Sequence, residues 1–496
     1  MKNSLYFEAL KPDLETRRRI RTLTNVLYYD LATCAPEKEL DNQSKILNYY
    51  DSKIASMSQK TAFKSLVNKG LNDPKASKEE HRLFEALHEE IALMEKMPLK
   101  DYVDAKNAFS KSNEMWRLYR GKNDFASWLP YWKECVKWAR KIAKLKMDSI
   151  TKTPYDALLN SYEPGETSDY LDALFAPVKK TIAMLLPRVI SRQKKYCLPP
   201  IKAYSKEKQE ALSYALLETI HYDLEGGALR TSAHPFSADI AQYDARLTTR
   251  YNLEDWRSNI FTILHEGGHC LEFQNKGEAM YDYYLESVAT AAQCETHSRF
   301  VENLIGRSEE FAPVLKGLCA KYLDDGFSYM SNHDFYLLLN QVEPGLIRCD
   351  ADELTYTLHI IIRYEIERDL INGVIECEDV PAIWNKKYKD YLGVEVPSDQ
   401  MGCMQDVHWT DGEFGYFPSY ALGNLYGAMI FEKMNEDIQI FDKIRENDFA
   451  SILTWLKEND YCHDWMKPND WIKKVTGKPL SSDAFIQYLI NKYAHI

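Results

Sequence analysis

The chain has 496 residues, 45% of them apolar, and a formal net charge of −12. That acidity disfavours a nucleic-acid partner, because phosphate binding draws on concentrated Lys and Arg, and the longest apolar runs, such as Leu358 to Ile362 with its histidine, fall far short of the roughly 20 residues of a membrane span. The opening stretch MKNSLYFEALKPDLETRRRIR mixes charges where a signal peptide needs an apolar core, and ten cysteines stand singly without a CxxC pair, which points to a cytoplasmic protein.

From Leu5 to about Leu145 apolar residues recur at three- and four-residue intervals, which predicts four or five helices. Breaks are expected at Ala35-Pro36, Asn72-Asp73-Pro74 and Met97-Pro98. The basic run Arg17, Arg18, Arg19 and Arg21 reads as one solvated helix face. Further on, Tyr155 to Thr167 reads as a helix exit, a Pro-Gly turn and a new N-cap at Thr167. A helix reaching Pro187 and another from Lys206 to about His221 follow. Residues 222 to 251 hold paired glycines, a proline and Thr- and Tyr-bearing stretches, the composition of a small β-sheet or hairpin.

The stretch RSNIFTILHEGGHCLEF, residues 257 to 273, carries His265 and His269 four apart with Glu266 between them. On a helix both imidazoles share one face, one turn apart, as two nitrogen ligands of a metal ion require, and Glu266 stands beside the remaining position. An ordinary amphipathic helix is the alternative, but only 12 His are available in the whole chain. Gly267 and Gly268 in a helix interior each cost about 1 kcal/mol relative to alanine, so another backbone or a substrate should approach closely there. Asn252 is the expected cap, with Asp255 in the first turn. Helices are expected again over Tyr284–Leu304, Glu309–Asp324 and Asp352–Asn372. Turn residues and aromatics fill the stretch after Gly393, and a helical set runs from Ala421 to the C-terminus. No linker or repeat interrupts the chain, so one peptidase domain, residues 1–496, is expected, with 1–150 as a helical wall or lid and 151–496 as the catalytic core.

Two histidines need a third protein ligand, and Glu286 and Glu295 both follow at plausible distance; spacing alone does not choose between them. Several separate motifs, however, resemble those of the carboxypeptidase Taq family of metallocarboxypeptidases. FVENLIGRS, residues 300 to 308, matches the continuation of that family's HES(Q/G) motif, which aligns Cys294-Glu295-Thr296-His297 with HESQ. His234-Pro235-Phe236 resembles its HPF, Asp244, Arg246 and Thr248 its DxRxT, and Ile347, Arg348, Ala351 and Asp352 its (I/V)RxxAD. LHIIIRYEIE around Arg363, QDVHW ending in His408-Trp409, and GYFPSYALGNLYGA from Gly415 are similar as well. The chain departs from the pattern at Cys294, Thr296 and His297, and at Tyr29-Asp30, where the family has Trp-Asp.

The resemblance implies a mainly α fold, a large helical metallopeptidase with a deep cleft and one small β-sheet near the active site. It implies removal of single C-terminal residues from peptides and a homodimer. His265, His269 and Glu295 are then the ligands of one divalent ion per chain, with zinc first and cobalt or manganese also suited to such a set. Glu266 is the expected general base. His408 and Tyr420, or Tyr416 four residues earlier, are candidate oxyanion donors. Arg348 is the first candidate for the substrate carboxylate, ahead of Arg246 and Arg363; an internal ion pair is the alternative for each. His234 is expected to line the cleft. A helical oligoendopeptidase or dipeptidase with the same metal core, and a catalytically silent peptide-binding relative, are the competing readings.

Overall fold

Prolines and capping side chains set the helix boundaries of the N-terminal region in the computed structural model, which describes residues 3–496. Six helices follow one another: α1 (Leu5–Thr33), α2 (Leu40–Ser58), α3 (Thr61–Leu71), α4 (Lys78–Lys96), α5 (Leu99–Arg120) and α6 (Phe125–Lys146). The three proline-marked breaks fall where the sequence places them. Two more carry no proline: Ser58 to Thr61, and the turn after Arg120, where Asn123 adopts φ 53° and Asp124 accepts a hydrogen bond from Ser127 N to cap α6. That raises the expected four or five helices to six. Helices α1, α3 and α4 share an apolar cluster of their own that includes Phe7, Leu10, Phe63, Phe84 and Ile91, with Met280 and Leu285 packed into it. By contrast α6 joins the main core, where Trp128 stacks on Trp132 and Trp132 on Trp409.

The arginine run on α1 is not a solvated face. Arg17 is buried against Ser58 and Glu90, Arg18 pairs with Glu286 at 2.5 Å, and Arg21 donates to Ser287 Oγ; of the four only Arg19 projects outward, to Glu15. Arg18 and Arg21 bind the wall to the 281–288 segment, and Arg17 ties α1 to α2 and α4.

Next come α7 (Pro154–Leu159), α8 (Ser168–Gln193) and α9 (Lys206–Thr219). Thr167 caps α8, accepting from Tyr170 N. Pro187 does not end this helix: with Val178, Ile182, Leu186 and Val189 buried along one side, tertiary packing outweighs the lost backbone hydrogen bond. The small sheet lies inside the predicted stretch as β1 (Leu229–Thr231), β2 (Ser237–Ala241) and β3 (Asp244–Thr249), in the order β1-β3-β2, parallel between β1 and β3 and antiparallel between β2 and β3.

The remaining elements are α10 (Trp256–Gln274), α11 (Glu278–Asp282), α12 (Ala291–Arg299), α13 (Ala312–Tyr322), α14 (Asn332–Leu339), α15 (Glu353–Ile371), α16 (Val380–Leu392), α17 (Phe417–Ile438), α18 (Ile440–Arg445), α19 (Phe449–Asn459), α20 (Pro468–Thr476) and α21 (Asp483–Tyr493). The helix expected from Tyr284 starts seven residues later. Tyr284 sits at φ 56°, which no helix accommodates, and the Thr290/Gln293 capping box starts α12. Helices α14 and α16 were not expected, because each follows a stretch whose turn residues mask its periodicity. Helix α12 packs between α10 and α17 and continues into a π-helical stretch, Phe300–Ile305. Among the described residues no helix is long and apolar enough to cross a membrane.

Candidate active site

Asp255, not Asn252, caps α10: its carboxylate accepts from Arg257 N, while Asn252 Oδ1 accepts from Glu254 N and forms the turn before it. The helix then presents His265 and His269 with ring centroids 5.0 Å apart. Glu295 approaches from α12, its Oε2 3.9 Å from His265 Nε2, and one ligand atom from each of the three lies within 4.8 Å of the other two. Glu286, the other candidate, is held by Arg18 instead and stands outside this group.

Two glycines explain how α12 comes so close. A Cβ on Gly268 would sit 2.7 Å from His297 O, and one on Gly423 would sit 2.9 Å from Glu295 Cβ and 3.0 Å from its carbonyl carbon. The close approach expected at the paired glycines is therefore that of a helix backbone at Gly268, and of the Ile220 side chain at Gly267. With Gly268 on α10 and Gly423 on α17, the helix carrying Glu295 is clasped from both sides.

The π-helical turn after α12 carries Glu302 to His265, whose Nδ1 lies 2.9 Å from Glu302 Oε2. Burial alone would raise the Glu302 pKa, but Arg299, the bond to His265 and Arg307 hold it well below the usual carboxylate range. As an ionised acceptor Glu302 requires the proton on His265 Nδ1, which leaves the Nε2 lone pair directed at the ligand group. Ser298 Oγ donates to Glu295 Oε2 at 3.2 Å, and Arg299 Nε stands 3.7 Å from the same oxygen. A set of two imidazoles and a carboxylate, one imidazole anchored through its far nitrogen, fits a divalent cation.

Glu266 is buried on α10 beside this group. Burial raises its pKa, and His265 and a 2.6 Å hydrogen bond from Ser237 Oγ act against that rise. Ser237 begins β2, and the loop before it is pinned by Thr248, whose Oγ1 accepts from Phe236 N and from Ser232 Oγ. The HPF and DxRxT segments thus meet the site through Ser237. His234 itself is exposed. Tyr29, where the resembled family has Trp, still bridges wall and sheet, with its hydroxyl 3.4 Å from Leu247 O and its ring 5.9 Å from Phe236.

On the far side His408, Tyr416 and Tyr420 form one cluster. Tyr420 Oη lies 3.4 Å from His408 Nε2, and the two tyrosine rings are 5.3 Å apart. Tyr420 is one turn before Gly423 on α17, which brings it beside Glu295. Burial pushes the Tyr420 hydroxyl well above its ordinary pKa, so it keeps its proton; burial, then the nearby Arg348, push His408 down to about 4. Both are neutral near pH 7.

The three arginines differ in what they leave free. Arg348 stacks over Tyr420 at 5.1 Å, donates from Nε to Asp406 Oδ1 at 3.0 Å and reaches Tyr356 Oη from Nη1, and its Nη2 makes no hydrogen bond among the described residues. Its ion-pair partner is Asp406, not the sequence neighbours Asp350 or Asp352. Arg363 is 0% exposed and engaged with Asp406, Gln405 and His359 O, so a substrate carboxylate has no access to it; it serves to orient Asp406, which orients Arg348. Arg246 is occupied by a two-pronged pair with Asp244 and covers the Tyr29 ring.

Ser237, Glu302, Asp406 and Gly423 were not singled out by sequence, although each lies in or beside a motif that was. Glu302 belongs to the stretch used to align Glu295, and Asp406 is two residues before His408.

The sequence pattern of the family described as carboxypeptidase Taq (M32) metallopeptidase matches residues 9–493. Carboxypeptidase 1 of Bacillus subtilis is 36% identical over 478 residues, covering 95% of this chain and 94% of that protein. Thermostable carboxypeptidase 1 of Thermus thermophilus is 34% identical, covering 90% and 88%. Among solved structures, metallocarboxypeptidase 1 of Trypanosoma cruzi superposes with a TM-score of 0.93 at 31% identity over 98% of this chain and 99% of that one.

Proposed function

Because the chain belongs to the carboxypeptidase Taq (M32) metallopeptidase family and is a metallocarboxypeptidase acting on peptides, we propose which of its residues perform the hydrolysis. His265, His269 and Glu295 hold the divalent ion, zinc first among those such a donor set accepts. When bound, that ion supplies Lewis acidity, which makes water nucleophilic near neutral pH and polarises the scissile carbonyl. The observation that carries the reading is the convergence of these three side chains with buried Glu266 held at Oε2 by Ser237.

Glu266 takes the proton of the attacking water and returns it to the leaving amine. Its raised pKa suits both steps, since a base poised nearer the working pH also serves as the acid that follows. Tyr420, protonated and hydrogen-bonded to neutral His408, donates to the oxyanion that develops on the substrate carbonyl. Tyr416 packs behind it. Arg348, aimed by Asp406, receives the substrate C-terminal carboxylate through its unengaged Nη2; Arg246 and the exposed His234 belong to the outer cleft. The whole chain acts as one peptidase domain, with residues 1–150 as wall or lid. A homodimer and a cytoplasmic location complete the proposal, and ten free cysteines fit a reducing compartment.

A peptide ladder read by mass spectrometry tests it. Stepwise loss of single C-terminal residues from free-acid and N-acetylated peptides is expected, with no cleavage of C-terminally amidated ones. Cleavage of the amides at internal bonds would favour an endopeptidase, and loss of N-terminal dipeptides a dipeptidase.

A further inference from the structure

One turn beyond His269 a second group of ligand-type side chains closes on itself. Glu272 from α10, His297 from α12 and Asp464 from the turn after α19 each offer an atom within 4.8 Å of the other two. They are 1%, 2% and 0% exposed, and both carboxylate oxygens of Glu272 and of Asp464 and both ring nitrogens of His297 make no hydrogen bond. Asp460 adds a further carboxylate oxygen 3.4 Å from His297 Nε2, likewise without a donor; its other oxygen accepts from Trp471 Nε1.

Buried polar atoms are almost always hydrogen-bonded, and buried carboxylates need a partner of opposite charge. The cation nearest to hand is Lys276, which is shared: it lies 2.7 Å from Asp239 and 2.9 Å from Glu286 O and makes a longer ion pair, 3.5 Å, with Glu272. Lys276 and a proton on His297 together offset two of the four carboxylates gathered here, Asp239, Glu272, Asp460 and Asp464. His297 Nε2 is 3.4 and 3.7 Å from Asp460 and Asp464 and makes a hydrogen bond to neither. The 3.7 Å between His297 and Asp464 is close to the spacing of two ligands about 2.1 Å from one tetrahedral ion, which stand about 3.4 Å apart.

We propose that Glu272, His297 and Asp464 bind a second divalent transition-metal ion, zinc or manganese, which ties α10 and α12 to the turn after α19. Its ligands are all buried and leave no opening for substrate, so the ion is structural. It locks together the two helices that carry His265, His269 and Glu295. His297 is also one of the positions at which the chain departs from the resembled HESQ motif, which has glutamine there.

Metal content by inductively coupled plasma mass spectrometry tests the proposal, on protein saturated with Zn²⁺ or Mn²⁺ and then freed of loose metal. Wild-type protein is expected to hold two equivalents per chain. His297→Gln and Asp464→Asn are each expected to hold one, and His265→Ala to lose the other one while keeping the ion at His297. A wild-type protein that saturates at one equivalent overturns the proposal, as does a His297→Gln variant that still holds two. Should the variants not fold, anomalous diffraction from wild-type crystals at the zinc edge decides it: a peak among Glu272, His297 and Asp464 supports the site, and a single peak at His265 and His269 overturns it.

Discussion

Replacing Gly423 by alanine isolates the contact that holds Glu295, the proposed third ligand, in place. In a helix interior the change should stabilise by about 1 kcal/mol through propensity alone. At this position the new Cβ would lie 2.9 Å from Glu295 Cβ, 3.0 Å from Glu295 C and 3.1 Å from Thr296 N. Carbon pairs prefer about 3.5–4.0 Å, so α12 must retreat by about half an ångström or more. The neighbours are backbone in a close-packed interior, and overpacking of this kind costs about 1–3 kcal/mol. Metal–ligand distances keep to within about 0.2 Å, and each ~1.4 kcal/mol lost at Glu295 would weaken the proposed ion tenfold. The control is Gly317→Ala on α13, where an added Cβ meets nothing within 4 Å; that variant should gain stability by up to about 1 kcal/mol. Thermal unfolding with and without chelator, together with metal competition titration, separates the two. Gly423→Ala should melt below Gly317→Ala and bind the catalytic ion about tenfold or more weakly. Equal rises in melting temperature with unchanged metal affinity would refute the claim that α17 positions Glu295.

Glu266→Gln should abolish turnover while retaining metal; peptidase activity within tenfold of wild type would remove it as the base. Ser237→Ala removes a hydrogen bond that favours ionised Glu266, so the Glu266 pKa should rise and the acid limb of kcat/KM should move to higher pH; an unmoved limb would mean that this bond does not set the base. Arg348→Ala should reduce hydrolysis of free-acid peptides and narrow their preference over amidated ones, with little recovery in Arg348→Lys, since lysine lacks the fork that spans Asp406 and a substrate carboxylate. Tyr420→Phe should lower kcat by about 10²-fold with KM little changed, as loss of one oxyanion donor does; a KM effect alone would place Tyr420 in ground-state binding.

The histidine pair of α10 was readable in the sequence because its geometry is local. Residues four apart on any α-helix share a face, so His265, His269 and Glu266 need no tertiary knowledge to be grouped. The sheet and Thr167 were legible for the same reason, from composition and capping within a few residues. Glu295 was not legible from spacing, because the intervening segment turns at Tyr284 with a left-handed residue that periodicity does not reveal; only the resemblance of the following motif separated it from Glu286. Arg363 was misplaced among the substrate arginines because its partners, Asp406 and Gln405, are more than 40 residues away. The α1 arginines were misread as solvated for a like reason, with Glu90 and Glu286 distant in the chain.

By itself, then, the sequence determined the elements whose energetics are settled within a turn or two: the helices, their caps and proline breaks, and the pair of histidines with a carboxylate between them. Only the tertiary structure decided which glycines admit a neighbouring helix, which carboxylate fixes the tautomer of His265, which arginine keeps a free edge, and that Glu272, His297 and Asp464 meet at all. Those outcomes depend on contacts between residues far apart in the chain, where burial removes water as the alternative partner and the choice falls to whichever side chain packing brings within reach.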